Sequence, residues 1–189
     1  MTGADGHVCN AFPNRFWAYV STVRTSNNRF VAPIELNYYL LYDRYLRRER
    51  KEILDAYNIP KELRILQDLG KATYEFVVMD DAPCLRAYSE FLETTHWPYR
   101  LYYLNVERLF TIHHHGLQHH FENVVRCCDH PNPAAATLCT YFQGDIPVLV
   151  SYTAEVDRIP ERVDMHFLSV DKRIHIEPSY FDIPDQCLV

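Results

Sequence analysis

The hydrophobic residues of this 189-residue chain change their spacing along the sequence, and that change constrains the fold more than any other feature. Over the first two thirds, many apolar side chains recur every three or four residues, which is the period of an amphipathic helix. Over the last third they alternate with polar residues, which is the period of a strand with one buried face. Helices followed by mostly antiparallel strands are typical of the α+β class. We therefore expect N-terminal and central helices packed on a mostly antiparallel sheet with a C-terminal β-hairpin.

The helical spacing predicts five helices. The first two run from Pro33 to about Asn58 and from Pro60 to Gly70. A third would begin at Asp81, because its side chain can accept hydrogen bonds from the first turn. A fourth over 117–128 and a short fifth over 134–142 would follow. The fourth is the most regular, with apolar residues at Leu117, Phe121, Val124, Val125 and Cys128.

Five segments are rich in β-branched and aromatic residues or alternate in hydrophobicity, and these predict strands. The predicted strands are Thr73–Met79, Tyr99–Ile112, Pro147–Val156, Val163–Val170 and Arg173–Glu177, the last two forming a hairpin.

Length and composition indicate a single domain. The chain is 48% hydrophobic and 23% charged, which is globular rather than disordered composition. A chain of this size is short for two independent domains. We expect a flexible N-terminal segment over 1–14 and one α+β domain over 15–189.

The net charge of −6 makes nucleic acid an unexpected partner, because binding to its phosphates needs a basic surface. The longest apolar runs are far shorter than the roughly 18 residues of a transmembrane helix, so we do not expect the chain to span a membrane. Protein partners are the remaining expectation. The oligomeric state has no signature in the sequence.

Six cysteines are too sparse for a small disulfide scaffold, and no secretory signal is evident. We expect free thiols in a reducing compartment, and therefore an intracellular protein. Residues 6–34 contain no acidic side chain and three arginines. A basic first strand over Arg15–Arg24 explains these residues, but such an N-terminus also occurs in organellar targeting segments. The expected location is therefore the cytoplasm or, alternatively, mitochondria.

A histidine- and cysteine-rich stretch over 113–139 is the first candidate metal site. On a helix, two histidines four residues apart share one face and can bind one ion. Thiol and imidazole donors further along suit zinc. The candidate ligands are His115, His119, Cys127, His130 and Cys139.

The expected C-terminal hairpin gives a second candidate. With Asp171 and Lys172 as its turn, His166, His175 and Glu177 fall on one face. Two histidines and a carboxylate can bind iron or zinc, or act as a general acid–base pair. The alternative is an exposed sheet face with a simple His–Glu pair.

A basic run on the polar side of the first helix is a candidate interaction surface for an acidic partner. It consists of Arg44, Arg47, Arg48, Arg50 and Lys51.

Two functions are compatible with these features. Nucleophile motifs and phosphate-binding loops are missing, glycine is scarce and tyrosine is abundant, at 5 and 14 residues. These features favour a non-catalytic interaction or accessory subunit of a larger intracellular assembly, since tyrosine is enriched at interfaces. The alternative is a small metal-dependent enzyme or metal-binding protein that uses one of the two clusters, with zinc or iron as its metal.

Overall fold

The computed structural model describes residues 9, 12–68, 73–80, 82–89, 101–156 and 158–188, and in these ranges the chain is nearly all β. The expected α+β class is therefore wrong. The helices among the described residues are two short 3-10 segments, Pro178–Phe181 and Asp185–Cys187, and neither is long and apolar enough to cross a membrane. The strands are β1 (Arg15–Ser26), β2 (Ile34–Asp43), β3 (Arg48–Leu54), β4 (Pro60–Asp68), β5 (Thr73–Met79), β6 (Leu85–Ser89), β7 (Tyr102–His114), β8 (Leu117–Cys128), β9 (Leu138–Gln143), β10 (Ile146–Val156) and β11 (Ile159–Asp171).

Hydrogen bonds join these eleven strands in the order β6-β5-β4-β3-β2-β1-β11-β10-β9-β8-β7. Except where β1 lies beside β11, each strand pairs with a strand close to it in sequence. The registers of the hairpin-connected pairs are antiparallel throughout. Short connections of this kind permit antiparallel pairing without a crossover helix.

Contacts divide the chain into two compact units. The first comprises Met1–Phe12, Ser21–Glu35 and Trp97–Leu168, and the second comprises Pro13–Val20, Leu36–His96 and Ser169–Val189. Most of the segment 1–14 that we expect to be flexible lies outside the described residues. The single domain over 15–189 stays a prediction.

The core of the first unit is built from alternate residues of its strands. Val163, Met165 and Phe167 of β11 are each at most 2% exposed, which is the two-residue period of a strand with one buried face. Phe12 packs edge-on against Phe142 and Phe167, with ring centroids 5.9 and 5.6 Å apart. Aromatic pairs in this geometry stabilise by about 0.5–1.5 kcal/mol beyond their buried area.

In the second unit, part of the core lies beneath the C-terminal 3-10 segment. Phe181 is fully buried and packs with Leu41 and Ile176, and the half-buried Trp17 and Leu46 cover this cluster. The C-terminal residues are thus anchored by apolar contacts.

The segments over 33–58, 60–68, 117–128 and 134–142 are strands, turns and loops where we expected helices. In β8 the reason is Asn123, whose φ of 53° interrupts the alternation, so that Val124 and Val125 are both buried. The apolar residues then imitate a helical spacing. In β2 four consecutive residues, 40–43, are buried, which removes the alternation altogether.

The third expected helix, which would begin at Asp81, is also wrong in its described part. That part forms β6, paired antiparallel with β5. Asp81 and residues 90–92 lie outside the described residues, as does Gly70 at the end of the second expected helix.

The strand predictions fared better. Thr73–Met79 is β5, and strands cover the described parts of Tyr99–Ile112, Pro147–Val156 and Val163–Val170. The hairpin is wrong, because residues 173–177 form no strand. Asp171 instead accepts a hydrogen bond from the Arg173 N–H at 2.8 Å, which turns the chain locally.

All six cysteines are paired, so the expectation of free thiols is wrong. The Cα atoms of the two bonds that close long loops lie 5.9 and 5.2 Å apart, within the usual range for disulfides. The pairs are Cys9–Cys127, Cys84–Cys187 and Cys128–Cys139, separated by 118, 103 and 11 residues.

Loop length predicts how much each disulfide stabilises the fold. The double variant Cys84→Ser/Cys187→Ser should lose about 4.7 kcal/mol of unfolding free energy and Cys128→Ser/Cys139→Ser about 2.8 kcal/mol, because the longer loop constrains the unfolded chain more. Denaturant unfolding of both variants and the wild type measures the two losses. Equal losses, or thiols detected in the unreduced, denatured wild type, would contradict the pairing.

Candidate functional site

A tight turn between β7 and β8 positions two histidines in the first unit. His114 pairs with Leu117, which leaves His115 and Gly116 as a two-residue connection. Both have positive φ, 47° and 76°, as a type I′ turn requires. Glycine adopts this conformation without strain, and adding a side chain at Gly116 would meet no atom within 4 Å. The turn thus places two consecutive imidazoles at the tip of the hairpin.

Glu35, at the start of β2, brings a carboxylate to this tip. Its Oε1 lies 3.4 Å from His114 Nε2 and 3.3 Å from His115 Nε2. The Ser21 hydroxyl, fully buried on β1, donates to the same oxygen at 3.3 Å. One donor atom from each of Glu35, His114 and His115 lies within 4.8 Å of the others, and we call these three residues the His–Glu cluster.

Two of the three cluster side chains are exposed to solvent. The His114 side chain is only 9% exposed, whereas Glu35 and His115 are 42% and 60% exposed. Burial lowers the pKa of His114, and the adjacent His115 lowers it further, although Glu35 acts in the opposite direction. Neutral imidazole, the form that binds metals, is therefore favoured at His114.

A further histidine lies beside the cluster. His119 pairs with Ile112 on β7, so it lies on the same face as His114, and the two rings have centroids 6.4 Å apart. Its Nε2 atom is buried and has no hydrogen-bond partner among the described residues. A buried polar atom without a partner is costly, and a bound ligand would relieve that cost.

His166 extends the imidazole-rich region. It lies on β11 opposite Leu149, and its charge interacts with those of His114 and Glu35. Burial lowers its pKa and Arg162 lowers it further, while Asp164 and Glu35 raise it.

The donor distances suit a tetrahedral metal ion. Ligands 2.0–2.1 Å from zinc in a tetrahedral site are about 3.3–3.4 Å from each other. The two carboxylate–imidazole distances in the His–Glu cluster, 3.4 and 3.3 Å, agree with that spacing. The residues therefore fit a zinc-like ion held by two imidazoles and one carboxylate.

The first candidate set from the sequence is divided by the structure. His115 lies in the cluster and His119 beside it, while His130 is exposed near the end of β8. Cys127 and Cys139 are both in disulfides, so neither offers a thiolate. His114 and Glu35 were not in the candidate set, and Glu35 had no sequence signal because its partners lie far along the chain.

The second candidate set is placed in different units. His166 is on β11 in the first unit, while His175 and Glu177 lie in the second. His175 Nε2 is 2.9 Å from the Glu177 carboxylate, and their side chains are 81% and 58% exposed. That is the geometry of a solvent-exposed pair, which stabilises little.

Most of the basic run lies on the β2–β3 hairpin and has internal partners. Arg48 and Arg50 donate to the carbonyl oxygens of Phe181 and Tyr180 at 3.3 and 2.9 Å. Lys51 is buried, and its Nζ is 3.9 Å from the Glu49 carboxylate. The other two, Arg44 and Arg47, are exposed in the turn.

The chain is similar to solved structures but matches neither a family model nor a curated protein. It is similar to a LolA superfamily protein from Nitrosomonas europaea, with 8% identity over 93% of both chains and a TM-score of 0.49. An uncharacterized conserved protein from Thermus thermophilus is 10% identical over 93% of this chain and 88% of that one, with a TM-score of 0.47. A putative outer membrane lipoprotein-sorting protein domain from Vibrio parahaemolyticus is 7% identical over 92% and 91%, with a TM-score of 0.41. With TM-scores below 0.5, these likenesses carry no argument about function.

Stability should depend on the charge of His166. Because the folded pKa of His166 lies below its ordinary value of 6.5, the unfolded chain binds more protons as the pH falls past 6.5, so unfolding becomes easier. Denaturant unfolding of metal-free protein between pH 7.5 and about 5 measures this decline. His166→Gln should make the decline shallower, and an unchanged slope would contradict the assignment.

Proposed function

We propose that this chain is a non-catalytic metal-binding protein that holds a divalent transition metal, best matched by zinc, in the His–Glu cluster. The observation that carries the proposal is that three donor atoms lie within 4.8 Å of one another. The two carboxylate–imidazole distances are close to the distance between neighbouring ligands of a tetrahedral zinc ion.

His119 is the imidazole beside the His–Glu cluster, and it is not one of the three residues whose donor atoms lie within 4.8 Å of one another. It lies on the same face as His114, and its buried Nε2 has no hydrogen-bond partner in the described part of the chain. Four protein ligands close a zinc site, whereas catalytic sites keep one position open for water or substrate. If the His119 side chain rotates in as the third imidazole and fourth ligand, the site is closed, which supports binding or transport of the metal rather than catalysis.

An oxidising compartment is the second part of the proposal. The expectation of an intracellular location, in the cytoplasm or mitochondria, rested on free thiols, and the three disulfides remove that premise. Disulfides persist mainly in extracytoplasmic or secreted proteins, because cytosolic thiol systems reduce them. We therefore propose that the chain works outside the cytoplasm.

Zinc binding to tag-free, chelator-treated protein tests the site directly. Calorimetric titration with zinc chloride should show one ion bound per chain. His115→Ala should weaken binding by at least about 100-fold, since loss of an outer-shell partner alone costs 10–100-fold and this variant removes a direct ligand. Affinity should also fall at acidic pH, where protons compete for the imidazoles.

His113→Ala is the matched control for that titration. His113 is exposed and is the neighbour of His114 on β7, so its side chain points to the opposite face. This variant should bind zinc like the wild type. Equal weakening in both variants, or no saturable binding in the wild type, would refute the metal-binding role.

The accessory-subunit function is a second candidate, favoured by the loop between β1 and β2. Phe30 and Val31 in this loop are 83% and 46% exposed, and Ile34 at the start of β2 is 58% exposed. Clustered exposed apolar side chains often mark protein contacts. A photo-crosslinking residue at position 30, used in the native cell, should give a discrete adduct that the same residue at the exposed Leu109 does not. Identical patterns at both positions would count against this role.

A further inference from the structure

A cleft in the first unit lies apart from the His–Glu cluster residues. It has a volume of about 200 Å³ and is lined by residues of β8–β11 and of the segment before β9. Two arginines, three serine or threonine residues and two tyrosines provide its polar lining. They are Arg126, Arg162, Thr137, Ser151, Thr153, Tyr141 and Tyr152.

Strand register places these groups together. Arg126 of β8 pairs with Tyr141 of β9, and Thr153 of β10 pairs with Arg162 of β11. Directly paired residues project from the same face of a sheet. Ser151 pairs with Cys139, whose disulfide to Cys128 links β9 to β8 beside the cleft. The walls are therefore set by backbone pairing and by one covalent cross-link.

Arg126 has no anionic partner among the residues that the structure describes. Its Nε is buried and makes no hydrogen bond in the described part of the chain. Its guanidinium lies 5.5 Å from the centre of the Tyr141 ring, and Nη2 is 4.0 Å from the Cys139 sulfur, which is a weak acceptor. No carboxylate among the described residues forms an ion pair with it. Because a buried N–H group without an acceptor is costly, an external anion that accepts from this half-buried guanidinium would stabilise the arrangement.

The other groups suit an anion as well. Arg162 is 64% exposed, and its Nε pairs at 2.9 Å with Asp164, which is 18% exposed. The guanidinium has five N–H donors, so it can bind a second acceptor while this pair is kept. Burial raises the pKa of Tyr141, so its hydroxyl stays neutral and can donate a hydrogen bond. None of the residues that line the cleft is acidic.

We propose that this cleft binds a small oxyanion, such as a phosphate, sulfate or carboxylate group. Arg126 is the main ligand, because guanidinium forks match planar and tetrahedral oxyanions. Arg162 and the hydroxyls of Ser151 and Thr153 complete the site. A volume of about 200 Å³ is below the 300–1,000 Å³ typical of drug-sized ligands, so the cleft holds one anionic group rather than a whole nucleotide.

Titration of chelator-treated protein with inorganic phosphate, at ionic strength held constant with chloride, tests the proposal. Two-dimensional NMR should show saturable shifts at Arg126, Ser151 and Thr153. Arg126→Gln should weaken binding by about 10–100-fold, the range expected when a hydrogen bond to a charged group is lost. Arg108→Gln, which changes an exposed arginine on β7, should bind phosphate like the wild type.

Two further arms make the result decisive. Phenyl phosphate and acetate separate a free inorganic anion from the anionic end of a larger molecule, since only an open cleft accepts the ester. If Arg126→Gln does not fold, Ser151→Ala and Arg162→Gln provide the comparison, each with a smaller loss. Absence of saturable shifts, or equal affinity in the wild type and every cleft variant, would overturn the proposal. Zinc binding by the same variants should be unchanged, so this test can fail independently of the metal site.

Discussion

The register of the β7–β8 hairpin is the constraint on which the first unit and its candidate sites depend. Its two-residue turn needs positive φ at both His115 and Gly116, which fixes His114 opposite Leu117 and His119 opposite Ile112. A slip of one residue would move every side chain of one strand to the other face. At the far end of β8, Cys127 and Cys128 each form a disulfide, so this strand is fixed at both ends.

The disulfides also determine which side chains can bind a metal ion. With every cysteine paired, the candidate ligands for a soft or borderline metal are imidazoles and carboxylates. The His–Glu cluster supplies both. Paired cysteines and a metal site with only nitrogen and oxygen ligands are both compatible with the oxidising compartment that we propose.

Local patterns predicted individual strands and missed the fold class for identifiable reasons. The run Thr73–Met79 is short and β-rich, and it forms β5. The left-handed backbone of Asn123 in β8 and the four consecutive buried residues of β2 hid the two-residue period of these strands. The two segments were therefore interpreted as helices. Within 113–116, the His-Gly pair is a turn signal, and it would have indicated a hairpin.

Only some residues in and beside the candidate site could be identified from the sequence. His115 and His119 were identified from their residue type, although on a helix rather than across a hairpin. Glu35 could not be found, because its proximity to His114 is a product of tertiary structure and leaves no local spacing. The set His166, His175 and Glu177 depended on a turn that the Asp171–Arg173 hydrogen bond replaces.

X-ray absorption at the zinc K-edge of the zinc-loaded protein tests the central claim most directly, because it reports the ligands themselves. The account predicts nitrogen and oxygen neighbours at about 2.0–2.1 Å, with the outer-shell scattering of at least two imidazoles. Sulfur neighbours at about 2.3 Å, or a shell of oxygen without imidazole, would contradict a site built from Glu35, His114 and His115.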